Sequence, residues 1–141
     1  MKRLENLRMK KLFFFLLAIT VASCSISDEP KSQAYMVQVE DATVPETMIL
    51  GQMATIQVKY RRPTDCHIFN GFYTESDNFT QTISVRCIKF NESNCIDDSS
   101  VVYDVPLNFM PTVAGTYHFK FWTGEDSNGL PTFLEIDSVV E

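Results

Sequence analysis

Only two histidines, His67 and His118, occur in 141 residues, and the four cysteines contain no Cys-x-x-Cys pair. Zinc centres are built from such spacings, so no metal or other cofactor is expected. No Gly-x-Ser-x-Gly elbow is present, and a nucleophile needs a base within reach and a group to orient it. His67 adjoins Cys66, but strand neighbours face opposite sides and cannot act as a pair. The chain therefore reads as non-enzymatic. Its longest apolar run, Leu12 to Ala22, falls well short of the roughly 20 residues that span a bilayer. Basic residues are scarce beyond position 23, where seven Lys/Arg face seventeen Asp/Glu. So negative a surface repels phosphate backbones, and a nucleic-acid partner is excluded.

The amino-terminal segment has the opposite sign. Residues 1–23 carry five Lys/Arg and one Glu, and Arg8, Lys10 and Lys11 precede the apolar run. A basic region, an apolar stretch and small residues in that order make a cleaved secretory signal. Val21-Ala22-Ser23-Cys24 resembles the lipobox of bacterial lipoproteins, which implies lipidation of Cys24 and removal of residues 1–23. The expected organisation is a signal peptide over 1–23, a lipidated flexible tether over 24–34 and one β domain over 35–141. Membrane contact is then expected through the lipid alone, with two or more acyl chains needed to hold firmly. Asp28-Glu29 resembles the acidic surface-export signal of Bacteroidetes lipoproteins, with an ordinary solvated linker as the alternative.

Beyond Ala34 the hydrophobic period is two, and no helical stripe is sustained. Ala54, Ile56, Val58 and Tyr60 alternate with polar or exposed-type neighbours, as in a half-buried strand. Cys66–Tyr73 and Thr80–Cys87 read as a hairpin with Glu75 to Asn78 at the turn. With Tyr73 facing Thr80, the set Cys66, Ile68, Asn70 and Phe72 lies inward with Gln81, Ile83, Val85 and Cys87. A strand through Val101–Phe109 carries Pro106, which favours an edge or a bulge. Tyr117, Phe119 and Phe121 define the inner row of the next strand. In the last, Thr132–Val140, the alternation slips between Ile136 and Val139 and predicts a bulge. Six or seven short strands with hardly any helix point to an all-β, antiparallel sandwich of about seven strands. Gly115-Thr116-Tyr117 resembles the tyrosine-corner segment of immunoglobulin-like domains, although the Cys…Trp…Cys spacing of antibody domains is missing.

An oxidising compartment permits one disulfide among Cys66, Cys87 and Cys95. Cys66–Cys95 is the favoured pair, because Cys87 continues the inward row Ile83, Val85; Cys66–Cys87 is the alternative. On the outer face of the hairpin, His67, Phe69, Tyr73 and Arg86 form a candidate binding face, which Trp122 extends by parity. Aromatics beside a guanidinium suit a sugar, a peptide or an aromatic ring, and a covering strand is the competing reading. Asp97, Asp98 and Asp104, with Glu125, Asp126 and Asp137, lack the spacing of a calcium loop and read as solvated acids. Asp137-Ser138-Val139 resembles the O-glycosylation motif of exported Bacteroidetes proteins.

The run Tyr60 to His67, then Phe69-Asn70-Gly71-Phe72-Tyr73, Gly115 to Trp122 and Phe133-Leu134-Glu135-Ile136 resembles small lipoproteins of flavobacterial type. That resemblance implies an envelope location and a β fold and supplies no activity. The expected function is a lipid-anchored outer-membrane lipoprotein, cell-surface exposed in one reading, that binds or supports without catalysis. The alternatives are an envelope immunity or inhibitor protein, or an accessory carbohydrate-binding lipoprotein, with an envelope protein or a glycan as partner.

Overall fold

The structure is a computed structural model, and it describes residues 32–92 and 94–141. The expected signal peptide, Cys24 and the first part of the tether lie outside the described residues. Nine strands and no helix are present among the described residues. They are β1 (Ser32–Val37), β2 (Val39–Thr43), β3 (Thr47–Met48), β4 (Ala54–Tyr60), β5 (His67–Asp77), β6 (Thr80–Phe90), β7 (Tyr103–Phe109), β8 (Gly115–Glu125) and β9 (Pro131–Val140). β1 begins at Ser32, so the last three residues assigned to the tether belong to a sheet.

The strands form an all-β sandwich. One sheet is β2-β4-β7, wholly antiparallel. In the other, β5 lines one edge of β6, and β1 and β8 share the opposite edge: β1 lies beside Val85–Phe90 and β8 beside Thr80–Ile83. β9 follows β8, and the two-residue β3 closes that side. Two pairings, β6–β8 and β3–β9, are parallel, so the sandwich is mostly rather than entirely antiparallel. The nine strands exceed the expected seven because β1, β2 and β3 are short and their segments carry little alternation to betray them.

The core lies between the sheets. β4 contributes Ile56, Val58 and Tyr60; β6 contributes Ile83, Val85 and Cys87; β8 contributes Tyr117, Phe119 and Phe121. These are the inward rows that period-two patterning assigns. Pro106 sits in β7, an edge strand of the smaller sheet, where its missing N–H costs no ladder bond.

Three expectations fail for local reasons. The β5–β6 turn is Asn78-Phe79, with Asp77 facing Thr80, so the register is four residues from the expected one. A bulge between Phe69 and Phe72, with Gly71 at φ 87°, then shifts the pairing again. The bulge moves the inward row from Phe72 to Phe69 and His67; Ile68, expected inside, is exposed. The bulge expected between Ile136 and Val139 is absent, since pairing with β8 runs unbroken from Phe133 to Val140. Ser138 occupies the inward row there, buried, with its hydroxyl donating to the Pro45 carbonyl at 2.7 Å. The folded protein therefore does not present Ser138 for O-glycosylation.

Candidate functional site

The bulge divides the expected binding face. Phe69 faces inward opposite Cys87 and packs against the core, 6.0 Å from the Tyr60 ring. His67 is only 3% exposed; its Nδ1 pairs with the Thr64 hydroxyl at 2.9 Å, and the Tyr35 ring meets it edge-on. Burial pushes the His67 pKa below its ordinary value, because the charged ring would lose its hydration. Tyr73 remains exposed on the outer face. Arg86 lies there too, but its Nε and Nη2 both donate to the Asn70 carbonyl, at 3.2 and 3.1 Å. That carbonyl belongs to the bulge, so the guanidinium holds the chain where the ladder is broken. Trp122 lines a separate shallow depression of about 260 Å³ with Tyr35, Met36 and Arg61. The five residues do not form one surface.

Cys66 and Cys95 are disulfide-bonded, with Cα atoms 5.5 Å apart. Cys87 is a buried free thiol, and burial pushes its pKa up to about 11, so it stays protonated and inert. Around the disulfide, the segments 61–66 and 94–100 are tied by polar contacts. Asp65 Oδ1 accepts the Ile96 N–H at 2.8 Å, and the Asp65 N–H donates to the Ile96 carbonyl at 3.0 Å. Arg62 Nε donates to Asp98 Oδ2, which also accepts the Tyr103 hydroxyl at 2.6 Å. The Tyr103 hydroxyl and then the Arg62 guanidinium hold the Asp98 pKa below the usual carboxylate range. Arg61 reaches both oxygens of Glu40, at 2.7 and 3.0 Å, and the Ser100 carbonyl at 2.7 Å. Asp97 and Asp126 accept hydrogen bonds within their own turns. Asp65, Cys66 and Cys95 lie close together, but the sulfurs are bonded to each other and the carboxylate is occupied, so the trio does not suit a metal.

The opposite end of the sandwich is built differently. The two-residue turn places Asn78 at φ 51°, a left-handed conformation that Asn tolerates. It lays Phe79 over Gly115, where φ is 146° and a Cβ would come 2.8 Å from the Phe79 ring. The Phe79 carbonyl accepts the His118 N–H at 2.9 Å, which fixes the tip to β8. The Phe79, Tyr117 and Phe109 rings then meet edge to face at 5.2 and 5.3 Å. These rings, with Met110, Val113, Ser76 and Gln81, line a cleft of about 470 Å³. The Ser76 hydroxyl donates to Gln81 Oε1. The cleft offers rings, a thioether, hydroxyls and amides, a chemistry of non-covalent binding.

Sequence reasoning missed this end. The signal was available in Ile49, Leu50, Met53, Met110 and Val113, which stand beside Gly51, Pro111 and Gly115 rather than in alternating strand positions. No protein-family model, curated protein or solved structure matches the chain.

Proposed function

We propose that the chain is a lipid-anchored lipoprotein of the cell envelope, held on the outer membrane through Cys24, that binds a partner without catalysis through its apolar end. The supporting observation is where the chain enters the sandwich. Ser32 pairs with Phe90, and the Phe90 N–H donates to the Cys66 carbonyl at 3.1 Å, so the tether joins at the disulfide end. Cys24 stands eight residues before Ser32, a reach of at most roughly 25–30 Å. β6 then runs 11 residues to the cleft, or about 35 Å. Anchoring at Cys24 thus keeps the disulfide end within about 30 Å of the bilayer and leaves the cleft free to stand about 35 Å farther out along the sheet.

Within this reading the domain is an immunoglobulin-like variant. In support, the first, second and fifth strands of that plan correspond to β2, β4 and β7, facing a sheet that contains β6, β8 and β9. The parallel meeting of β6 and β8 is its departure.

Metabolic labelling with an alkynyl palmitate tests the anchor. The expected result is a labelled chain in the membrane fraction and an unlabelled, released chain for Cys24→Ser. An unlabelled native chain overturns the reading.

A further inference from the structure

We propose that the apolar end docks a polypeptide segment that inserts a long aliphatic or aromatic side chain into the Phe79–Phe109–Tyr117 cleft and sets Lys or Arg side chains against its acidic rim; only the outward direction of that end rests on the anchoring reading above. Ile49, Met53, Met110 and Val113 are 58%, 62%, 51% and 54% exposed. They lie on two loops joined by the Gly51 N–H and the Pro111 carbonyl at 2.9 Å, next to the cleft that Met110 and Val113 help to line. Scattered exposed apolar residues are ordinary, whereas neighbouring ones around a cleft mark an interaction surface.

Charge selects the occupant. Asp77 borders the cleft, its Oδ1 accepting the side-chain N–H of the cleft-lining Asn78 at 3.1 Å, and the Glu141 carbonyl accepts the Leu50 N–H at 2.9 Å, which holds Glu141 beside the 49–53 loop. Both carboxylates are exposed, and no Lys or Arg occurs in 49–53, 76–79 or 110–114. A second copy would set these carboxylates against their own kind, and an anionic bilayer would be repelled. A segment with basic flanks gains on the same rim. The exposed groups also select class. Sugars stack on an open ring face, but these rings turn edge to face on one another. What faces solvent is thioether and aliphatic, surfaces that mould to an apolar side chain.

The test is selection of phage-displayed random peptides on the full chain immobilised from detergent, followed by fluorescence polarisation with the enriched peptides. Enrichment of an aromatic or long aliphatic residue flanked by Lys or Arg is expected. Met110→Asp and Val113→Asp, both at exposed positions, should each weaken binding about tenfold or more. Asp77→Lys should weaken it less and shift the selected flanks toward acidic residues. Ile96→Asp, exposed at the far end, should leave affinity unchanged, with circular dichroism confirming that each variant folds. No enrichment, peptides without this pattern, or binding indifferent to Met110→Asp and Val113→Asp overturns the proposal. So does Val113-dependent binding of the chain to phosphatidylglycerol vesicles or its Val113-dependent dimerisation, which would name a lipid or a second copy as occupant. Cys24→Ser should bind the peptides as the native chain does, so a failed anchor and a failed docking site give different results.

Discussion

The two ends of the sandwich are stabilised by different means. At the end where Ser32 enters, segments 61–66 and 94–100 contain no apolar residue that reaches the core among Phe119 and its neighbours, and they are ordered by a covalent bond and by charge. One disulfide, the Arg62–Asp98–Tyr103 cluster and the Arg61–Glu40 fork connect them to the sheets. At the other end order comes from backbone bonds and ring packing around Gly115, while the side chains of Ile49, Met53, Met110 and Val113 face water. Polar loops must be bonded to something if they are to hold one shape, since ordering each residue costs roughly 1–2 kcal/mol. An apolar loop left exposed contributes nothing to the fold and is free to contribute to an interface. The braced end is held by covalent and polar links, and the open end leaves its apolar side chains in water.

Breaking the braced end should cost most. Replacing both Cys66 and Cys95 by Ala removes a link across 29 residues and should destabilise by about 2–5 kcal/mol, read as a lower melting temperature. An unchanged melting point would mean that the polar contacts alone order these loops.

At the open end, Gly115→Ala should cost about 1–3 kcal/mol in urea unfolding, since it adds a Cβ against Phe79 at a positive φ. Full stability of this variant would show that the hairpin tip is not seated on β8.

Acid should act on the braced end first. His67 has its pKa depressed in the folded state, so the folded protein binds its proton less readily than the unfolded chain. Stability is then complete above about pH 6.5, the unfolded value, and falls as the pH drops toward the folded value. Asp98 is depressed as well, and its contribution is lost at lower pH, below about 4. Two losses are expected in a melting-temperature profile, and His67→Asn should remove the upper one. A flat profile between pH 7 and 5 would contradict the burial of His67.

The smallest effect sharpens the contrast. Val113→Asp and Met110→Asp should change stability by no more than about 0.5 kcal/mol, measured by thermal unfolding. A large loss from either would make the open end part of the core and remove its claim to be a surface.

Residue order alone determined much of this molecule. Alternation in Ala54–Tyr60, Tyr117–Phe121 and Gln81–Cys87 named the strands and their inward rows, because a pleated chain puts every second side chain on one face whatever its neighbours do. The edge position of Pro106 was legible for the same reason, as a missing donor has few tolerated places. Alternation says nothing, however, about which strand lies beside which, or about where the count slips. The bulge at Gly71, the buried Ser138 row, the parallel β6–β8 pairing and the meeting of Phe79 with Gly115 each depend on atoms distant in the chain. Only the assembled sheets decided that His67 and Phe69 turn inward, that Arg86 serves the bulge, and that the open surface lies at the other end. The physical reason is that a one-residue shift reverses every side chain beyond it, and the partners that stabilise such a shift are supplied by tertiary contact.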